Sequence, residues 1–304
     1  MSREQALGGK EAFRLQGVSV AFAVTGGTGE HREAENETTT NTLKHAGRNG
    51  GSANPDGIRF VLRDLDLEVR RGDWVAVVGR NGSGKSTLGR VLAGLLPVSR
   101  GTLERSAGLV QLVFQTPDAQ IVGETVWEDV CFGLENLAVP PDEMPARAEE
   151  ALLTVGLLEK KHANVSTLSG GQKQLLAVAG CLAMKADVLV FDEATSMLDP
   201  ESRARLLDVA ARLHQAGQTV IWITQWMDEV ARAQRVVALE VGRVVFEGAP
   251  EVFFYGREGS EGQTPCDSLG FAPPYVVQVA RALERRGVAL RKRPLLPEEV
   301  GDFV

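Results

Sequence analysis

Two groups of residues in this chain are suited to chemistry on a phosphate: the octet Gly79-Arg80-Asn81-Gly82-Ser83-Gly84-Lys85-Ser86 and the carboxylate pair Asp192-Glu193. The octet follows the apolar run Asp73 to Val78, which reads as a strand buried on both faces. Beyond it, Leu88, Val91, Leu92 and Leu95 fall on one helical face, and Pro97 is expected to stop that helix. Glycines set between a strand and a helix let the backbone curl until successive N–H groups converge on phosphate oxygens. The helix start adds its partial positive charge. Lys85 is placed to reach the β- and γ-phosphates, and the Ser86 hydroxyl to coordinate Mg²⁺. The nucleotide-binding set expected here is Gly79, Arg80, Asn81, Gly82, Ser83, Gly84, Lys85, Ser86 and Thr87.

The run Asp187 to Asp192 suits a second central parallel strand, with Asp192 at the end where ligands of such sheets bind. Asp192 is the expected second Mg²⁺ partner, and Glu193 the group to orient or deprotonate an attacking water. Upstream lies Leu168-Ser169-Gly170-Gly171-Gln172, expected to open a helix from Gln172 to Ala183. Such a helix start donates N–H groups to an anion. With the octet, it suggests that the chain completes a second triphosphate site on a partner.

The order Gly79–Ser86, Gln115, Leu168–Gln172, Val188–Glu193 and Ser196-Met197-Leu198-Asp199 resembles the ATP-binding subunits of ABC transporters. Within that family the chain looks most like the ATPase (A-component) of energy-coupling-factor importers, the group that includes cobalt and vitamin uptake systems. Val113–Gln120, Val126–Asn136, Gly171–Gln174, Ala183–Lys185 and Thr195–Pro200 carry the closer match. The resemblance covers nearly everything from Phe13 to the C-terminus except one insertion. It implies an α/β fold, a phosphate-loop ABC cassette with a mostly parallel core sheet, an antiparallel β subdomain, a helical subdomain and a small C-terminal appendage.

The resemblance also implies roles. Phe22 matches the aromatic position that stacks on adenine, although it reads equally well as ordinary core. Gln115 matches the glutamine that contacts Mg²⁺ or water and links the site to the membrane partner. Ser169, Gly170, Gly171 and Gln172 match the motif that presses on the γ-phosphate of the opposite subunit, so that two head-to-tail chains bury two ATP molecules. Asp199 matches a residue crossing that interface. The implied partners are a second ABC ATPase, identical or not, an integral membrane coupling subunit and a substrate-binding membrane subunit. The implied place is the cytoplasmic face of the cell membrane, where this chain would drive uptake of a vitamin or a transition metal ion.

One residue departs from the pattern. Where the family usually places a histidine against the γ-phosphate, this chain has Gln225. An amide can donate to the phosphate but cannot become a cation. Slower hydrolysis at this site, an asymmetric pair, and a substitution of little kinetic effect all remain open.

Composition agrees with a cytosolic motor. The chain has 304 residues, 43% of them apolar, and a net charge of −7 with no basic run, which argues against nucleic acid as the main partner. Cys131, Cys181 and Cys266 have neither metal-ligand spacing nor an even count for disulfides. No apolar run approaches the ~18 residues that a membrane span needs, and the N-terminus lacks a signal-peptide core. A soluble ABC ATPase acting on ribosomes or DNA is the competing class; it would usually carry two cassettes or a long coiled-coil insertion. A nucleotide kinase or GTPase would have no use for Leu168–Gln172.

The expected domain plan is an ATPase domain over 13–250 and an appendage over 251–304. Strands are expected at Phe13–Ala23, Ile58–Val61, Leu65–Val69, Leu109–Phe114 and Thr219–Thr224, with a hairpin of Val236–Glu240 and Arg243–Phe246. Val24 to Gly57, rich in Gly, Thr, Asn and Glu, reads as a flexible insertion whose His31 and His45 are solvated. Residues 116–166 are expected to form a mainly helical subdomain that includes Met144–Val155. No Lys or Arg occurs between Ser106 and Ala146, while Asp118, Glu124, Glu128, Asp129 and Glu135 do. Next to Ile121, Val122, Val126 and Trp127, these carboxylates read by charge alone as a solvated acidic face, whereas the resemblance implies that they receive a basic helix of a membrane subunit. Helices are expected over Glu201–Gln215 and, in the appendage, Tyr275–Arg286, with Val276, Val277, Ala280 and Leu283 on one face.

Overall fold

A computed structural model describes residues 11–23, 58–257 and 263–302. The insertion expected over Val24–Gly57, with its two histidines, lies outside the described residues. The chain runs β1 (Glu11–Ala23), β2 (Ile58–Arg70), β3 (Trp74–Val78), α1 (Lys85–Leu92), β4 (Arg100–Arg105), β5 (Val110–Val113), α2 (Val126–Asn136), α3 (Met144–Val155) and α4 (Gly170–Ala183). It continues with β6 (Val188–Asp192), α5 (Pro200–Gln215), β7 (Thr219–Ile223), α6 (Met227–Val230), β8 (Arg235–Glu240), β9 (Arg243–Gly248), α7 (Pro250–Tyr255), α8 (Pro265–Ser268) and α9 (Tyr275–Arg285).

The strands form two sheets. The larger has the order β5-β6-β7-β3-β8-β9, parallel except for β9, which pairs antiparallel with β8. The smaller is antiparallel, in the order β2-β1-β4. Strands β3, β6 and β7 are buried at every position, because the side-chain period of two sends alternate residues into two separate cores. Trp74, Ala76, Phe191 and Trp222 join the helices α2 to α5 and the appendage on one face. Val75, Val77, Val190 and Ile221 join α1 and the antiparallel sheet on the other. An unbroken apolar run is therefore what a sheet covered on both sides requires.

Among the boundaries that differ from expectation, three have a clear local cause. Helix α1 ends at Leu92 rather than near Pro97, because Gly94 takes a left-handed turn (φ +75°) and the Leu95 N–H bonds back to the Arg90 carbonyl. Leu95 is consequently 61% exposed instead of lying on the buried face. The two strands expected at Ile58–Val61 and Leu65–Val69 are one strand, β2, whose register shifts against β1. Asp64 absorbs an irregularity there with φ +50°. Helix α4 begins two residues before Gln172, since the Ser169 hydroxyl accepts from the Gln172 N–H while the Gln172 side chain accepts from the Ser169 N–H.

Between β5 and β6 lie α2, α3 and α4. Helix α2 starts with a capping box of Thr125 and Glu128, and α3 ends on Gly156 in the left-handed conformation. The described part of the appendage packs on the cassette: Phe253, Phe254, Cys266, Leu269, Val276, Val277 and Leu295 belong to the same core as α4 and β6. Arg281 of α9 forms an ion pair with Asp267 of α8.

Candidate functional site

The loop between β3 and α1 needs glycine for steric reasons. A Cβ on Gly79 would lie 2.4 Å from the Leu239 carbonyl oxygen, and one on Gly84, at φ +104°, would meet Leu62 at 2.6 Å and the Val61 carbonyl at 3.1 Å. The backbone can thus turn tightly beneath the antiparallel sheet only without side chains at these positions. Inside the turn, the Ser83 hydroxyl is buried and has no hydrogen-bond partner. Lys85 is 5% exposed; its ammonium donates to the Gly79 carbonyl at 2.8 Å and the Arg80 carbonyl at 3.4 Å. Burial lowers the Lys85 pKa, opposed by the nearby Glu193 and Asp192 carboxylates. A buried cation and an unsatisfied hydroxyl in one concave loop fit an anion.

Strand β6 delivers the carboxylates. The Ser86 hydroxyl donates to Asp192 Oδ1 at 2.8 Å. Burial pushes the Asp192 carboxyl above the ordinary range, only partly offset by the Ser86 hydroxyl. This hydroxyl–carboxylate pair is an oxygen donor set of the kind that Mg²⁺ takes, and a cation there would relieve the cost of burying Asp192. Glu193 follows in a left-handed conformation (φ +51°), with its N–H donating to the Ile223 carbonyl at 3.0 Å. Non-glycine residues seldom adopt this backbone, and it turns the side chain out of the strand toward the loop. Glu193 Oε1 lies 3.4 Å from the Lys85 ammonium and accepts from Gln225 Nε2 at 2.8 Å. The same Gln225 nitrogen donates to Asn81 Oδ1 at 2.7 Å. Lys85, Ser86, Asn81, Asp192, Glu193 and Gln225 are therefore one connected cluster.

Other expected site residues lie farther out. Gln115 donates through Nε2 to the Ser196 hydroxyl at 3.0 Å, so it is tied to the loop after β6 rather than to Ser86 or Asp192. Phe22 is half-buried on the antiparallel sheet, opposite Arg59. Arg80 is exposed, its guanidinium against Gly270 of the appendage. Among the described residues, no hydrogen bond or ion pair joins Ser169–Gln172 to the phosphate loop. Instead, Gly171 packs so closely on Ser202 that a Cβ would meet its hydroxyl at 2.3 Å. Two links were not foreseen: Gln174 Nε2 donates to the Phe114 carbonyl at 2.8 Å, and Lys173 pairs with Asp118. They bind the start of α4 to the segment around Gln115. Gln174 follows Gln172 and Lys173 in a polar stretch, so its full burial had no signal in the sequence.

The acidic surface also differs in detail. Glu128 closes the capping box of α2, and Asp129 accepts from the Val122 and Gly123 N–H groups at 2.8 and 3.1 Å. These two carboxylates have local duties, whereas Glu124 and Glu135 are exposed and form no such bonds. Beside them opens a cleft of about 480 Å³ lined by Val122, Trp127, Cys131, Phe132, Glu135 and Met144, among others.

The ABC transporter family matches over residues 62–196, from β2 to the loop after Glu193. The energy-coupling factor transporter ATP-binding protein of Methanosarcina acetivorans is 39% identical over 78% of this chain and 88% of its own length. Its counterpart from Symbiobacterium thermophilum is 43% identical over 80% and 88% respectively. This chain belongs to the ABC transporter ATP-binding proteins of the energy-coupling factor type. As a member of that family it is an ATPase coupled to transport. The solved structure of cbiO1 from Clostridium perfringens, part of the ABC transporter complex cbiONQ, is 25% identical with a TM-score of 0.65, over 91% of this chain and 97% of that one. A metal-chelate-type ABC transporter in an inward-facing conformation shares the fold, with a TM-score of 0.61 over 80% of this chain. The ABC cassette fold is thereby established. No helix among the described residues is long and apolar enough to cross a membrane.

Proposed function

We propose that this energy-coupling factor ATPase hydrolyses ATP at the cluster around Glu193 to drive uptake of a micronutrient, a vitamin or a transition metal ion, from the cytoplasmic face of the membrane. The observation that carries the assignment of the site is the convergence on Glu193 Oε1 of the Lys85 ammonium and the Gln225 amide. Those two donors are placed for the phosphate being transferred, and the carboxylate between them is placed for the water that attacks it.

In this reading the loop N–H groups of Gly79 to Ser86, the Ser83 hydroxyl and Lys85 hold the phosphates, with Arg80, Asn81 and Thr87 at the edge of the cradle. Mg²⁺ would be held by Ser86 and Asp192 and would supply charge neutralisation to the phosphates; Gln115, bonded here to Ser196, would have to turn from that hydroxyl to join them. Glu193 orients and deprotonates water, and Gln225 donates to the γ-phosphate. Phe22 offers a ring face to adenine. The helix start at Ser169–Gln172 serves the site of a second ATPase, identical or not, and receives that subunit's phosphate loop in return. Closure then depends on γ-phosphate, and its differential affinity for the closed pair moves the membrane subunit.

The cleft beside α2 is the docking place for that subunit. Apolar Val122 and Phe132, 64% and 43% exposed, offer contact area, and Glu135 and Glu124 offer charge to a basic helix. A cassette to about residue 250 is followed, in this proposal, by an appendage that helps to hold the ATPase pair. The ribosome- or DNA-directed alternative is not favoured, because the matching relatives are transporter subunits.

Glu193→Gln tests the site. The amide keeps the shape but is no base, so turnover of the assembled complex is expected to fall by about 100-fold or more while ATP still binds. Turnover within a factor of two of the native rate, measured by phosphate release, would remove Glu193 from the role.

A further inference from the structure

Outside the cluster already described, the most completely buried charge among the described residues is Glu229 of α6, at 0% exposure. Both of its oxygens are saturated. Oε1 accepts from the Thr195 hydroxyl at 2.7 Å and from Arg203 Nε at 2.7 Å. Oε2 accepts from Trp222 Nε1 at 2.9 Å and from the Thr224 hydroxyl. Taking a carboxylate out of water is costly unless its lone pairs are filled in this way. A core position that needed only volume would be served better by an apolar side chain.

The identity of the four donors carries the inference. Thr195 stands two residues after Glu193 and just before Ser196, the residue that holds Gln115. Thr224 immediately precedes Gln225. Trp222 lies in β7, one residue before Ile223, whose carbonyl accepts the Glu193 N–H. Arg203 belongs to the first turns of α5, which Asp199 caps, and its guanidinium stacks on the Trp226 ring at 4.2 Å. One carboxylate therefore clamps the arm that bears Glu193 and the arm that bears Gln225, and joins both to the helix behind the Ser196–Asp199 loop.

We infer that Glu229 is a positioning residue for ATP hydrolysis, which holds Glu193 and Gln225 at their mutual distance and ties that distance to helix α5. The inference rests on the reading of Glu193 and Gln225 as the hydrolytic pair. Trp222 Nε1 and Arg203 Nε can only donate, and they approach opposite oxygens. Wherever an amide in place of Glu229 puts its NH₂ group, it faces an N–H that cannot accept. The change Glu229→Gln, nearly isosteric, must therefore displace one arm or the other. A shift of about 1 Å between reacting groups can cost on the order of 100-fold in rate, while ground-state binding on the phosphate loop is left intact.

The experiment compares variants of this chain in the purified native transporter complex, by ATP turnover, equilibrium ATP binding without Mg²⁺, and thermal unfolding. Glu229→Gln is expected to lower kcat by about 10- to 100-fold, with ATP affinity changed less than about twofold. Adding Arg203→Met leaves the amide facing only the Thr195 hydroxyl, which can turn to accept, so the double variant should hydrolyse faster than Glu229→Gln alone. An unchanged kcat, a kcat loss matched by an equal loss of ATP affinity, or a double variant slower than the single one would each overturn the inference. If Glu229→Gln fails to assemble, Thr224→Val and Thr224→Ser take its place. Valine should lose turnover and serine keep it, and native turnover in the valine variant overturns the inference. Glu193→Gln runs alongside: an active Glu193→Gln complex sinks the reading of the site, whereas an inactive one beside a fully active Glu229→Gln sinks this inference alone.

Discussion

At the residue scale, Gln225 is where this chain parts from its family's usual pattern. Its single NH₂ group serves two acceptors, Asn81 and Glu193. A neutral imidazole has one N–H to offer and must drop one of them, but it can take up a proton, with an ordinary pKa of about 6.5 that a neighbouring carboxylate raises. The cation adds positive charge beside a γ-phosphate and is lost as pH rises through that pKa. Gln225→His is therefore expected to raise turnover several-fold, and the ratio of variant to native turnover should decline across roughly pH 6–8. A ratio of one at every pH would make the substitution kinetically silent. Glu193 shows the opposite kind of departure. Its residue type was legible beside Asp192, but its left-handed backbone, which aims the carboxylate back at Lys85, has no signature in an isolated Asp-Glu pair.

At the element scale, the cleft walled by α2 offers a reporter of the proposed docking in Cys131. That thiol is partly exposed on the cleft wall and its pKa is raised by burial first and Glu135 second. Burial pushes both Cys181 and Cys266 up to about 12. A maleimide is expected to modify Cys131 alone in the native chain, slowly near neutral pH because little thiolate forms. Assembly with the membrane subunits should then protect it. Equal labelling before and after assembly, read by mass spectrometry, would move the docking surface elsewhere. Element types were legible here because binary periodicity and caps act locally: Met144–Val155 is a helix over the expected span, and Thr125 with Glu128 spells its own capping box. The carboxylates beyond the cap were not. Charge pattern alone cannot tell Asp129, bound to two backbone N–H groups, from Glu135, free on the surface.

At the scale of the whole molecule, two cores flank one sheet, and the appendage extends the core on the helical side. Phe253 and Phe254 are fully buried, and Cys266, Val276, Val277 and Leu295 close over the same cluster. Burying a large apolar side chain stabilises by about 1.5–3 kcal/mol, and removal of several exposes their partners as well. A chain ending at Gly256 should therefore unfold at least about 5 °C lower than the full chain, quite apart from any effect on pairing of the ATPases. An unchanged Tm would mean that the tail contributes nothing to the cassette.

The residues proposed to hold the phosphates were readable in sequence because their chemistry is local. Glycine at Gly79 and Gly84 answers a backbone demand, Lys85 and Ser86 follow within one helical turn, and the apolar run before Asp192 suits a strand covered on both sides, which β6 is. Their joining to Gln225, the tie between Gln115 and Ser196, and the four donors gathered on Glu229 were decided by the tertiary structure. Adjacent parallel strands bring residues far apart in the chain to one sheet end, so the buried carboxylate of Glu229 gathers Thr195 and Arg203 from distant segments beside its near neighbours Trp222 and Thr224.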